Sequence, residues 1–407
     1  MKPMRKVYLD HSATTPVRSE VAQVVTEYYT NIFGNPSSVH SFGREARKGI
    51  ENAREQVANL INGKPEEIIF TSGGTEADNM AIIGSALANK NKGKHIITTA
   101  IEHHAVLDSC KYLEKEGFKV TYLPVDSEGM IDLETLKANI TEETILITIM
   151  HVNNEVGTIL PIKEVGAIAK ERGILFHVDA VQSYGKLPID VNEMNIDMLS
   201  ASGHKIYGVK GVGCLYLRRG VKLHPIMFGG AQERKRRPGT ENVPGIVGFG
   251  LASELAGQEM EMENQRLTVL RDKLITGILE NIPCTQLNGH RTQRLPGNVN
   301  ISFEFIEGES LLLMLDLKGI AASSGSACTS GSLDPSHVLM AMGLCHEIAH
   351  GSLRLTLGRD NTEEDIDYVL EVLPEIVERL RAMSPLYNNR DKHRNHREEC
   401  SICTLRK

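Results

Sequence analysis

Short apolar runs rich in β-branched residues alternate with amphipathic stretches through the middle of the chain. GKPEEIIFTSGGTEADNMAIIGSALAN predicts a strand, a Gly-rich turn and a helix, and KHIITTAIEHHAVLDSCKYLEKEG repeats the pattern. TILITIMHVNNEVG, PIKEVGAIAKERG and ILFHVDAVQS continue it. Strands alternating with helices predict an α/β fold whose large domain has a mostly parallel sheet flanked by helices. In such sheets ligands sit beyond the carboxyl ends of the strands, so the segments that follow each strand are the places to look. Beyond about residue 250 the rhythm changes. EMEMENQRLTVLRDKLITGILENI predicts a long amphipathic helix; NVNISFE and LRLTLG predict strands, and ESLLLMLDLKG and EEDIDYVLEVLPEIVERLRAM predict helices. This is the pattern of a smaller α/β C-terminal domain. The division expected is a large domain over 16–255, a small domain from 1–15 and 256–383, and a polar tail over 384–407 whose composition predicts no order. No internal repeat is present.

Composition narrows the class without naming a function. The chain has 407 residues, enough for two domains. Its formal charge of −7 supplies no basic field for nucleic acid or a membrane surface. No apolar run has transmembrane length, and MKPMRKVYLDHSATTP lacks the apolar stretch of a secretory signal. The cysteines number seven, an odd count in a large chain, which fits reduced thiols and a cytoplasmic setting.

Candidate chemistry gathers at the predicted strand ends. SGHKIYG puts Lys205 just past the strand-like IDMLSAS. A lysine there is ordinarily a solvated charge, but with a lowered pKa it forms a Schiff base with an aldehyde. FHVDAVQS ends a strand on Asp179, by default a helix cap. A strand-end carboxylate is also what holds the pyridine nitrogen of pyridoxal phosphate (PLP) protonated, and the protonated ring is that cofactor's electron sink. In FTSGGTEADN the amides of Gly73, Gly74 and Thr75 open a helix, a phosphate-binding geometry, though tight turns need Gly in any case. IEHHAV offers His103 to lie against a cofactor ring and shuttle protons, with His104 left at the surface. ASSGSACTSGSLDPSHVL sets Cys328 among Ser, Gly and Ala, which predicts an exposed loop thiol rather than a core cysteine. Arg354 in HGSLRLTLGR is a strand arginine able to clamp a carboxylate through its two-pronged fork.

Taken together, FGNPSSVHSFG, FTSGGTEADN, HVNNEVG, FHVDAVQS, SGHKIYG, RPGTEN and SSGSACTS make the chain resemble the group I cysteine desulfurases of the NifS/IscS type, fold-type I PLP enzymes. The resemblance runs from YLDHSATTP to RAMSPLY. It implies that Lys205 carries the cofactor and later removes the substrate Cα proton, and that Asp179 pairs with the pyridine nitrogen. It implies that Gln182 bonds the phenolic oxygen, that Gly74, Thr75, Ser202 and His204 hold the phosphate, and that Thr240 reaches it from the second subunit of a homodimer. Asn153 would touch the cofactor and, with Arg354, fix the carboxylate of L-cysteine. Cys328 would take the sulfur as a persulfide and hand it to an iron–sulfur scaffold or another acceptor, and could ligate a cluster shared with that scaffold. A free thiol has a pKa of about 8.5, so Cys328 needs a proton acceptor, for which His103 is the candidate.

The tail departs from that family pattern. DKHRNHREECSIC places His393, His396, Cys400 and Cys403 at metal-like spacing, although nothing apolar surrounds them and a solvated tail is the plainer reading. The rival functions are a PLP lyase or aminotransferase acting on another amino acid, and a non-catalytic interaction protein on a PLP fold. Cys328 and its loop argue against the first, and the presence of both Lys205 and Asp179 against the second. The destination of the sulfur (nitrogenase clusters, general cluster assembly or tRNA thiolation) is not written in the sequence.

Overall fold

The computed structural model describes residues 5–324 and 335–388. Twelve strands are present among them: β1 Val7–Tyr8, β2 Ile68–Thr71, β3 His95–Thr99, β4 Lys119–Leu123, β5 Thr144–Met150, β6 Leu175–Asp179, β7 Met198–Ser202, β8 Gly213–Leu217, β9 Thr285–Leu287, β10 Asn298–Phe303, β11 Ile320–Ala321 and β12 Ser352–Thr356. Seven form one sheet in the order β2-β8-β7-β6-β5-β3-β4. The pairs β7–β6, β6–β5, β5–β3 and β3–β4 are parallel, and β8 runs antiparallel to both β7 and β2. Since β2 is reversed twice relative to β7, it points the same way. Six of the seven strands therefore end on one edge of the sheet, and β8 alone ends on the other.

Both faces of this sheet are covered. Ile68 and Phe70 of β2, Ile147 and Ile149 of β5, Phe176 and Val178 of β6 and Leu199 of β7 enter one core. Their strand neighbours Ile69, Leu146, Met198 and Leu215 enter another. Alternate residues point to opposite faces, so a strand buried on both sides reads as an unbroken apolar run. A third core joins Leu274 and Ile278 to Val299, Ile301, Phe303, Leu353 and Leu355 of the three-stranded sheet β12-β10-β9 and to Val369 and Leu373 of helix Glu363–Met383. Val7 and Leu9 from the amino end join this core, with β1 pairing in parallel with β11.

The long helix begins earlier than its amphipathic pattern suggests. It runs from Val243 to Asn281, 39 residues, and so passes through residue 255, the expected end of the large domain. Its first turns are rich in glycine, a poor helix former. Tertiary packing explains them: a Cβ at Gly248 would stand 2.5 Å from Val25 Cγ2, and one at Gly250 2.6 Å from Ala53 Cα. The helix lies directly on Ser19–Thr30 and Ser41–Asn59, and only glycine permits that approach. Within the tail, residues 385–388 form a short helix; His393, His396, Cys400 and Cys403 lie outside the described residues, as does Cys328.

Candidate active site

The shared edge of the large sheet gathers the predicted residues. Asp179 ends β6, Ser202 ends β7 and Lys205 closes the single 3₁₀ turn that follows it. His103 lies past β3 as the N-cap of helix His104–Lys115, and Asn153 lies three residues past β5. Gly73 and Gly74 lie past β2, at the start of helix Gly74–Asn89. Arg354 comes from the other sheet, on β12, where its backbone bridges to Ser323.

Lys205 Nζ donates to the carbonyl of Ala13 at 2.7 Å and to that of Ser12. The amino-terminal DHSATTP segment thus forms a wall of the site, a role that its sequence did not announce. Gln182 Nε2 reaches the same Ser12 carbonyl at 3.0 Å, while Gln182 Oε1 is buried without a hydrogen-bond partner among the described residues. Asp179 Oδ1 accepts from Val181 N at 2.9 Å. Burial pushes its carboxyl above the ordinary range, and His103 and Lys205 pull it back. The same two groups act on each other, since burial lowers the His103 ring below its usual value, Asp179 raises it and Lys205 lowers it. Electrostatic coupling of this kind marks groups that share one environment.

His103 Nδ1 accepts from Ala105 N at 3.1 Å. That bond fixes the tautomer, so the neutral ring carries its proton on Nε2. In this arrangement Nε2–H is a hydrogen-bond donor, and the ring takes up a further proton only where Nδ1 gives up its bond from Ala105 N. His104 faces His337, with ring centroids 4.9 Å apart. The helix that opens at Gly74 has no side-chain cap. A Cβ on Gly73 would lie 3.7 Å from Ser202 Oγ, which places that hydroxyl beside the uncapped amides. Thr75 is exposed and shares a groove with His103. His204 Nδ1 meets Thr14 Oγ1 at 3.1 Å, and burial lowers its ring to about 4, so it is a neutral partner at neutral pH. Asn153 is committed to backbone: Oδ1 accepts from Glu155 N and Val156 N, both at 2.9 Å, and Nδ2 donates to Ile101 O at 2.9 Å. Thr240 is exposed and makes no hydrogen bond among the described residues.

Other buried charges surround this cluster. Asp78, one turn into helix Gly74–Asn89, is fully buried, and burial and then Asp179 push its carboxyl well up. His177, two residues before Asp179 on the same strand face, bonds Thr148 Oγ1 at 2.8 Å and Ser200 Oγ at 3.0 Å and lies 3.7 Å from Asp78 Oδ1. Glu155 accepts from Ser336 Oγ and is raised by burial to about 7. Alternation marks Asp78 and His177 only as interior helix and strand positions, and Glu155 lies in the turn past β5. Of the remaining cysteines, Cys110 and Cys214 are buried, Cys345 is partly exposed and Cys284 is exposed. It occupies the turn before β9 at a φ of 53°. Among the described residues no group of three or more His, Cys, Asp or Glu could hold a metal, and no helix is long and apolar enough to cross a membrane.

The residues present fit PLP. An uncapped helix start flanked by Ser202, a buried carboxylate at a neighbouring strand end, an orphaned amide oxygen on Gln182 and a lysine between them supply one partner for each polar part of that cofactor. Residues 7–369 match the aminotransferase class-V family. The chain is 61% identical to cysteine desulfurase IscS of Methanosarcina thermophila over 382 residues, 94% of each chain. It is 55% identical to a cysteine desulfurase of a Nostoc species, covering 95% of this chain and 96% of that one. Among solved structures it superposes on a NifS-like protein with a TM-score of 0.87 at 41% identity, covering 92% of this chain and all of the other. It also superposes on SspA in complex with cysteine, with a TM-score of 0.78 at 38% identity, over 86% of this chain and 99% of the other. The chain belongs to the aminotransferase class-V family of PLP-dependent enzymes, among the cysteine desulfurases.

Proposed function

We propose that this chain takes the sulfur from L-cysteine, releases L-alanine, and carries the sulfur as a persulfide on Cys328 to an acceptor protein. The observation that carries the reading is the meeting of Lys205, Asp179 and His103 at one sheet edge, each acting on the charge of the others. The cysteine held by SspA, a structure so similar in fold, supports the choice of substrate. PLP, when bound, supplies an aldehyde for amine exchange and a protonated ring that draws electrons from the substrate Cα and from its Cβ–Sγ bond. Asp179 holds the negative charge that keeps the ring nitrogen protonated. The amides at Gly74 and Thr75, with Ser202 and His204, take the phosphate. Gln182 orients the phenolic oxygen. Asn153 shapes the turn of Glu155 and Val156 beside the substrate, and Arg354 binds the substrate carboxylate. Lys205 holds the cofactor and moves the Cα proton, and His103, on giving up its Ala105 bond at Nδ1, is the acceptor for the Cys328 proton.

Sulfur transfer then balances simply. The Cys328 thiolate attacks the substrate sulfur, an S–S bond forms as Cβ–Sγ breaks, and the electron pair left on carbon takes up a proton to give alanine. The chain works as a homodimer in which Thr240 of each subunit completes the other's phosphate site. It works in the cytoplasm, with an iron–sulfur scaffold or another sulfur carrier as acceptor. The carboxy-terminal His/Cys cluster has no part in desulfuration.

The test is Cys328→Ser. Adding cysteine to the variant should still change the cofactor's absorption spectrum, with neither an alanine burst nor protein-bound persulfide, because a hydroxyl is a far poorer nucleophile toward sulfur than a thiolate. Alanine production at a near wild-type rate would overturn the persulfide route. Borohydride should fix the cofactor to Lys205, and Lys205→Ala should abolish that linkage.

A further inference from the structure

Lys205 lines a second cavity, of about 70 Å³, that shares no lining residue with the Thr75–His103 groove. Lys186 and Lys205 both line it, as do His11, Arg18, Glu259 and Glu263. Lys186 ends the turn that carries Gln182. The turn is wedged at Gly185, whose φ is +71° and where a Cβ would stand 2.9 Å from Ile206 Cγ2 and 3.1 Å from Ala256 Cβ. Asn264 Nδ2 pins the Lys186 carbonyl at 2.7 Å. The backbone around Lys186 is thereby fixed against the residue that follows Lys205 and against the long helix.

The cavity's charges leave Lys186 uncompensated. Glu259 is taken by Arg18, with contacts of 2.8 and 2.9 Å, and Glu263 by Arg266, at 3.0 and 2.9 Å. Burial lowers His11 to about 4, so it is neutral at pH 7. Among the described residues the Lys186 ammonium has no hydrogen bond and no ion pair, although it is largely enclosed. Among the titratable groups that act on Lys205 are Asp179 from β6, His103 from the cap after β3, His204 from its own turn, and Lys186 from across the cavity. Of these, His103 and His204 are held toward neutrality, largely by burial, which leaves Asp179 and Lys186 as charges of opposite effect.

We propose that Lys186 is a positioning residue that, across this shared cavity, works against protonation of the Lys205 nitrogen. Cofactor exchange and proton removal both need that nitrogen to give up its proton, while the Ser12 and Ala13 carbonyls and Asp179 all favour the charged form. Lys186 offsets them. Burial, and then Lys205, bring Lys186 itself down to about 7. Such coupling is reciprocal, so the pair titrates in two linked steps rather than as two independent lysines.

The proposal rests on Lys205 as the cofactor anchor, and its test separates the two. The visible absorption of the holoenzyme is titrated with pH, and borohydride-reduced protein is digested to locate the labelled lysine. In Lys186→Met the spectral midpoint should move to higher pH by about half to one unit, and Lys186→Arg should stay near the wild-type value. Lys186→Gln should follow Lys186→Met, and takes its place if the methionine variant does not fold. Label on Lys205 with an unmoved midpoint in the neutral variants would overturn the role of Lys186. So would an arginine variant that shifts as far as the methionine variant, since packing would then be the cause. Label on a different lysine would overturn the anchor instead.

Discussion

Arg354 lends one arm of its guanidinium to Asp10, with Nη2 3.0 Å from Asp10 Oδ1, while Nη1 donates to the Asn154 carbonyl at 3.1 Å. Its Nε is buried and has no partner among the described residues. The fork is thus fixed in orientation from two sides, and its Nε–H is left over. A buried unpaired donor is costly unless something binds it in the working state, and an incoming carboxylate would do so.

Arg354→Lys should therefore damage substrate binding before it damages the cofactor. An ammonium cannot keep the Asp10 and Asn154 contacts and also reach a carboxylate in the plane of the fork. Loss of one charge-assisted hydrogen bond is worth about 1.5–3 kcal/mol, so KM for cysteine should rise roughly 10- to 100-fold. The spectrum of the cofactor-loaded protein should be unaltered. An unchanged KM would remove Arg354 from the substrate site.

Asp179→Asn keeps the shape of the side chain and discards its charge. The ring nitrogen would lose its counter-ion, so PLP should dissociate more readily, at a cost of about 3–5 kcal/mol for breaking a buried ion pair. Equilibrium dialysis of PLP checks this. Wild-type affinity in the variant would leave Asp179 as no more than the acceptor for Val181 N.

Gly74→Ala should disturb the phosphate end of the site. The new Cβ would lie 2.5 Å from Val181 Cγ2, and the branched valine has little rotamer freedom to yield. Overpacking of this kind costs about 1–3 kcal/mol. The Gly74→Ala, Val181→Ala double variant should regain much of what the single variant loses in thermal stability and PLP affinity. Strictly additive losses would show that the contact with Val181 is not the cause.

Glu102 gives a pH dependence of known sign. It accepts from Met150 N at 2.9 Å and from Thr99 Oγ1 at 2.7 Å, and burial raises its carboxyl to about 8. An unfolded glutamate gives up its proton near pH 4.5, whereas the folded protein keeps this one until about 8. The stability it contributes is complete below 4.5 and drains away up to about 8, by about 1.4 kcal/mol for each unit of pH. Glu102→Gln cannot ionise. Urea unfolding at pH 5 and pH 8 should show the wild type losing more stability than the variant over that interval. Equal losses would mean that Glu102 is ionised in the folded protein.

The sequence by itself determined the alternation of strands and helices. Strands buried on both faces must be apolar throughout, and amphipathic helices must cover them, so β2, β3, β5, β6 and β7 are visible as runs, whereas β4, open to solvent along most of its length, is not. It also set Asp179 at a strand end and Lys205, His103 and Gly74 just past others, and the shared direction of those strands is enough to bring such residues to one edge. Tertiary structure alone decided the rest. The glycines of 243–250 look like helix breakers until Val25 and Ala53 are seen to demand their lack of a Cβ. The Ser12 and Ala13 carbonyls that hold Lys205, nearly two hundred residues away, are backbone atoms and carry no side-chain signature. Lys186, Glu102 and Glu155 read as ordinary charges, because a charge becomes unusual only when folding strips its water and sets what faces it. His103 was marked by its place in the chain, but the Ala105 amide decides which of its nitrogens holds the proton.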